Sequence, residues 1–129
     1  MCVKRVLNVG EPTTIISESP SGPLATMFED DGDTSYFYAL NLISEKQIVD
    51  AVHIYNVASV VDRHRQSDVE IVWTADGMKS ALLINRYPHA VFDFSARRGY
   101  CRTGFPNSCG GSDGWNQKHD WDGSLMDFF

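Results

Sequence analysis

Glu29-Asp30-Asp31-Gly32-Asp33 gathers four carboxylates around one glycine, the densest set of carboxylates in the chain. Clustered carboxylates hold a hard cation such as Ca²⁺ when their oxygens can surround it. Here the spacing does not fit the twelve-residue calcium loop, because no Glu stands at the required distance downstream. What remains is an electrostatic reading. The segment is an acidic hairpin tip, either merely solvated or turned toward a cationic partner, with Tyr36 and Tyr38 close behind it.

A second set of chemically capable residues is His89, Asp93 and Cys101. A thiol nucleophile needs a base, and a neighbouring cation lowers its pKa; Arg102 directly follows Cys101. His89 and Asp93 would share one face of a strand but sit about two pleat repeats apart, too far for a direct hydrogen bond without a bend. No nucleophile motif surrounds Cys101. Cys101, Cys109 and His119 are soft ligand types at a spacing that fits no zinc pattern. His53, set in an apolar run, reads as a satisfied core or interface histidine. Gly110-Gly111-Ser112-Asp113-Gly114 lacks the strand-then-helix context of a phosphate loop and reads as a flexible link. No cofactor or metal is expected.

The elements that must position these residues are mostly strands. Asp68 to Phe94 carries the clearest signal: Asp76-Gly77 flanked by alternating apolar residues, predicting a hairpin with a two-residue turn. That register sets Val69, Ile71 and Trp73 opposite Ile84, Leu82 and Ser80 on one face. The other face holds Glu70, Val72 and Thr74 against Leu83, Ala81 and Lys79. Pro88 then breaks the second strand, and Ala90, Phe92 and Phe94 form the apolar side of a third. Upstream, strands are expected at Val3–Val9, Thr13–Ser17, from Leu24 to Phe28, and over Tyr36–Leu42 with Tyr36, Tyr38 and Leu40 on one face. Ser44 to Gln47 has the spacing of a short capped helical turn. In Ile48–Val57, Ile48, Val52 and Tyr55 would suit a helical stripe. The β-branched and aromatic residues there favour a strand, with Asp50, Val52, Ile54 and Asn56 on one side and Val49, Ala51, His53, Tyr55 and Val57 on the other. From Thr103 to Gly123 the chain is irregular, rich in Gly, Asn, Ser and Asp. An aromatic tail follows, expected to pack back onto the sheet, with an exposed aromatic-acidic recognition surface as the alternative. The pattern predicts an α+β, mainly β fold: an antiparallel sheet or sandwich of about six to eight strands with little helix.

At 129 residues, 43% of them apolar and 22% charged, the chain reads as a single globular domain, 1–129. No apolar run reaches the ~20 residues that span a bilayer. The opening MCVKRVLNVGEP lacks the apolar stretch of a signal peptide, so a cytoplasmic location and no membrane partner are expected. Cys2, Cys101 and Cys109 are odd in number, which points to thiols in a reducing compartment, with a Cys101–Cys109 bridge left open. The formal charge of −6 disfavours nucleic acid, whose phosphates require a basic footprint. The charge is unevenly placed. Val6 to Glu45 contains Glu11, Glu18, Glu29, Asp30, Asp31, Asp33 and Glu45 but no Lys or Arg.

FEDDGDTSYFYAL, DAVHIYNV and the hairpin running into LLINRYPHAVFDF together resemble a small bacterial family known as a domain of unknown function, over roughly Leu24 to Phe105. That resemblance implies no catalytic residues. In size, acidity and β-rich pattern the chain is also similar to bacterial immunity proteins, which neutralise a toxin by binding it. The leading expectation is therefore a non-enzymatic protein-binding module, in its specific form an immunity protein against a basic toxin. Its surface would combine Glu29, Asp30, Asp31 and Asp33 with Tyr36 and Tyr38. A homodimer is a further partner the reading admits. Two other classes stand beside it: a small hydrolase or metal-dependent enzyme using His89, Asp93 and Cys101 or the acidic loop, and a small-ligand binder with an aromatic-lined cleft.

Overall fold

The alternation over Asp68–Ile84 dictates the centre of one sheet. In the computed structural model, which describes residues 2–45, 47–61, 64–102, 115 and 119–129, Val69 pairs with Ile84, Ile71 with Leu82 and Trp73 with Ser80. That is the register the sequence predicts. The reversal itself is longer than two residues. Gly77 N–H donates to Thr74 C=O (2.9 Å), and Thr74 N–H to Lys79 C=O (3.0 Å), leaving Ala75–Met78 outside the ladder. Gly77 sits at φ +70°, and a Cβ there would lie 2.1 Å from Ser21 Oγ. Glycine is required on both counts.

Nine strands are described: β1 (Cys2–Leu7), β2 (Thr13–Glu18), β3 (Leu24–Asp30), β4 (Thr34–Asn41), β5 (Ile48–Asn56), β6 (Ser67–Trp73), β7 (Lys79–Ile84), β8 (Tyr87–Asp93) and β9 (Arg98–Cys101). They form two antiparallel sheets. Sheet A has the order β1-β6-β7-β8-β9 and sheet B the order β2-β3-β4-β5. The helical content among the described residues is two 3₁₀ segments, Val57–Ser59 and Gly123–Phe128. The mainly β, antiparallel sandwich follows from strands of four to nine residues, most of them with one buried apolar face.

The sheets share one core. Phe28, Phe37 and Phe92 are wholly buried, and the rings of Phe37 and Phe92 stack at 5.1 Å between β4 and β8. Several buried polar groups are paired across the sheets, which offsets the loss of water. Trp73 Nε1 donates to Ser17 Oγ (2.9 Å), Thr26 Oγ1 and Ser80 Oγ share a 2.9 Å bond, and Ser19 Oγ donates to Gly77 C=O (2.8 Å). Trp115 enters the same core edge-on to Phe92 and Phe94, at 6.0 and 5.3 Å.

Three local expectations are corrected. Pro88 lies within β8 rather than breaking a strand; the chain turns at Asn85-Arg86, both at positive φ (52° and 65°). A bulge between Leu82 and Leu83 adjoins the proline, where its missing N–H costs least. Of the expected helical turn over Ser44–Gln47, the described Ser44, Glu45 and Gln47 are not helical: Ser44 N–H bonds Asn41 C=O (3.2 Å) in a turn, and Lys46 lies outside the described residues. In β5 the alternation is broken by irregularities opposite Ser35/Tyr36 and Ala39/Leu40. Val49 and Tyr55 therefore join the core with Asp50, Val52 and Ile54.

The aromatic tail packs back onto the outer face of sheet A. Leu125 is buried there with Ala81 and Val91, alongside Val72, Leu83, Tyr100, Trp121 and Met126.

Candidate functional site

Sheet B presents its outer face as cross-strand rows. The pairings place Thr14, Glu29, Tyr36 and His53 in one row across β2 to β5, and Ile16, Met27, Tyr38 and Ala51 in the next. Side chains on opposite residues of antiparallel strands touch. Tyr36 stacks on His53 at 5.0 Å and on Tyr38 at 5.9 Å, and Tyr38 Oη donates to Glu29 Oε1 (3.1 Å). His53 Nε2 lies 3.1 Å from Tyr55 C=O. Tyr36, Tyr38, His53 and Glu29 are all half-buried, and Ile16 beside them is exposed. Aromatic rings held flat by their neighbours lose little conformational freedom when a partner covers them.

The β3–β4 hairpin ends this face, and its acids divide into two kinds. Asp31 and Asp33 are exposed. Asp31 Oδ1 accepts from Asp33 N–H and Thr34 N–H, both at 2.9 Å, and those backbone bonds, Thr34's first, hold its carboxyl below the usual range. The tip therefore carries fixed negative charge. Asp30 is different and corrects the expectation made for it: it is 0% exposed. Its Oδ2 accepts from Tyr55 Oη (2.6 Å) and Gly10 N–H (2.8 Å), its Oδ1 from Gly32 N–H (2.9 Å). Asp30 faces inward because Glu29 faces outward; alternation permits nothing else. It ties the β1–β2 loop, the β3–β4 turn and β5 together, and burial with the Asp30 bond pushes the Tyr55 phenol well above its ordinary value. The surface set is thus Glu29, Asp31, Asp33, Tyr36 and Tyr38, joined by His53. Alternation and composition left His53 open as a core or interface histidine; its place beside Tyr36 depends on the β4–β5 pairing.

The other reactive set does not assemble. Asp93 lies on the outer face of sheet A, opposite Lys79 (3.9 Å), with Oδ1 accepting from Ser95 and Ala96 N–H. Cys101 is buried opposite Ala90 on the inner face, its Sγ donating to His53 C=O (3.6 Å). His89 is half-buried on β8, and burial, then the Arg102 charge, lowers its pKa. What comes close to Cys101 is the tail: Cys101 N–H donates to His119 C=O (3.0 Å), and His119 Nε2 lies 2.8 Å from Asp50 Oδ2. The Asp50 side chain is 0% and the His119 side chain 8% exposed. This carboxylate–imidazole pair fastens the C-terminal segment to β5. Cys109 and Gly110–Gly114 lie outside the described residues. Among the described residues, no three His, Cys, Asp or Glu side chains converge as metal ligands, and no helix is long and apolar enough to cross a membrane.

The chain belongs to a bacterial family described as "Uncharacterized protein conserved in bacteria (DUF2251)", whose profile matches residues 7–129. It is also similar to an "Uncharacterized protein" of Haemophilus influenzae (strain ATCC 51907 / DSM 11121 / KW20 / Rd), 51% identical over 83 residues. The match covers 64% of this chain and 52% of that protein, so the chain spans about half the length of the curated relative it matches. No solved structure gives a significant match.

Proposed function

We propose that this chain is a non-enzymatic protein-binding module whose docking surface is the outer face of sheet B. The observation that carries the reading is the stacked Tyr38–Tyr36–His53 run, half-exposed beside Glu29 and continuing to the charged tip at Asp31 and Asp33. No Lys or Arg occurs in any of the four strands of sheet B. A partner offering Lys or Arg around an apolar centre complements such a face: the charges speed encounter, and the tyrosines supply buried area. A basic bacterial toxin is a partner of that kind, and neutralising one is the specific form of the proposal.

The test is capture from a lysate of the native host with the tagged chain, at low and high salt, beside the variant Tyr36→Ala/Tyr38→Ala. A partner held by the wild type at low salt, weakened by salt and lost with the tyrosines, is the expected result. A partner retained equally by both proteins removes this face from the account.

A further inference from the structure

The outermost strands of the two sheets are finished differently, and one edge is left open. Unpaired N–H and C=O groups along an edge attract another strand unless charge, a bulge or a covering segment blunts them. On β9, Cys101 N–H is taken by His119 C=O (3.0 Å) of the tail. β5 is irregular against β4, and Cys101 Sγ lies against its His53 C=O (3.6 Å). β1 carries Lys4 and Arg5, both exposed. β2 pairs with β3 in unbroken register, contains no Lys or Arg, and holds its one charge, Glu18, at its last residue. Ser19 N–H donates to Leu24 C=O (2.8 Å) at the end of that ladder. Hydrogen-bonded pairs alternate along antiparallel strands. Thr13, Ile15 and Ser17 therefore bond β3, while Thr14, Ile16 and Glu18 turn their backbone groups to the open edge. Those three residues are exposed, and nothing among the described residues pairs with their backbone groups.

Prolines stand symmetrically about Ile16: Pro12 and Pro20 lie four residues to either side, on the same alternation as Thr14, Ile16 and Glu18. Neither has an N–H to give a ladder. An antiparallel strand of the same sequence can therefore engage all three outward residues in one register, Ile16 against its copy and Thr14 against Glu18. A slip of two residues either way sets Thr14 against Pro20 or Glu18 against Pro12. We infer that β2 is a homodimerisation edge: two copies pair their β2 strands antiparallel about a two-fold axis at Ile16, joining two four-stranded sheets into one. The exposed Ile16 side chains meet on the outer face, and each Thr14 hydroxyl faces a Glu18 carboxylate of the second copy. The edge lies two strands from Tyr36 and Tyr38 on β4, so the inference does not depend on the docking face.

The test is sedimentation velocity of the full chain over a range of protein concentrations, beside amide hydrogen exchange of the ¹⁵N-labelled chain. A contact this narrow belongs to the small, transient class of interfaces, so a monomer–dimer equilibrium with Kd on the order of 100 µM is expected. In the concentrated sample the amides of Thr14, Ile16 and Glu18 should exchange several-fold more slowly than in the dilute one, with little change at Thr13, Ile15 and Ser17. Ile16→Lys sets two like charges opposite each other at the axis and should weaken the dimer at least tenfold. Val6→Lys, at a side chain equally exposed (56%) on the β1 edge, should leave the dimer intact. A chain still monomeric about tenfold above that Kd overturns the inference. So does a dimer that leaves the three amides unprotected, one that survives Ile16→Lys, or one lost with Tyr36→Ala/Tyr38→Ala.

Discussion

The two outer faces of the sandwich are built from similar materials and finished differently. On sheet A, Ala81, Val91, Val72 and Leu83 are closed over by Leu125, Trp121 and Met126 of the tail. The cations of that side are spent on the chain's own rings: Lys79 Nζ lies 4.6 Å from the Phe128 ring centre, and Arg102 lies 4.5 Å from Trp121 and 4.4 Å from Tyr87. On sheet B the rings stack on one another and on an imidazole, with carboxylates beside them and Ile16 left 56% exposed. One face has its complementary cations within the chain, and the strands of the other contain none. An aromatic surface that meets its own tail is part of the core. An aromatic, acidic surface made of strands without a cation is suited to a partner that brings one.

The sharpest way to break that contrast is at Asp30, which the sequence groups with the tip and the structure places inside. Asp30→Lys should cost at least about 4 kcal/mol of stability, since it strands three donors and buries an unpaired charge. Asp31→Lys/Asp33→Lys should cost far less than Asp30→Lys, since both side chains stand in solvent and only the turn bonds accepted by Asp31 are lost. Urea unfolding decides both, and a tolerated Asp30→Lys would mean that the acids form one surface cluster after all. Next in size is Leu125→Ala. It should cost roughly 2–4 kcal/mol if the tail truly closes sheet A, whereas Ile16→Ala on the exposed counterpart should change the urea midpoint little. A mild cost at Leu125 would make the two faces alike.

The smallest effect concerns pH. His89 has its folded pKa lowered by burial and by Arg102. Its neutral form is therefore common to the folded and unfolded chain above about pH 6.5. As pH falls through that value the unfolded chain takes up the proton first, and this contribution to stability is lost. His89→Gln should lose less stability than the wild type between about pH 7.5 and about pH 5. Parallel curves would deny the burial argument.

Much of the fold was legible because local rules act alone where strands are regular. The β6–β7 register followed from alternation around one Asp-Gly pair, and the faces of β4 from Tyr36, Tyr38 and Leu40 against Phe37 and Ala39. Legibility failed where distant residues decide the outcome. Asp30 turns inward onto Tyr55 and Gly10, 25 and 20 residues away. The extra residues in β5 shift Val49 and Tyr55 into the core without any mark in composition. His53 reaches the candidate surface only through its pairing with Tyr36. Pro88 and the non-glycine turn at Asn85-Arg86 concealed the true limits of β8, since φ > 0 is rare outside glycine. Likewise, Cys101 meets the backbone of His119, which pairs with Asp50, rather than Asp93, a consequence of which sheet face each occupies.

The most direct measurement is a matched pair of charge reversals assayed against the captured partner by titration calorimetry. Asp31→Lys/Asp33→Lys alters the tip beyond sheet B. Asp120→Lys/Asp127→Lys makes the same change in net charge on exposed acids of the tail. The account predicts at least a tenfold loss of affinity, about 1.4 kcal/mol, for the first pair and little change for the second. Equal losses from both, or a loss confined to the tail pair, would contradict it.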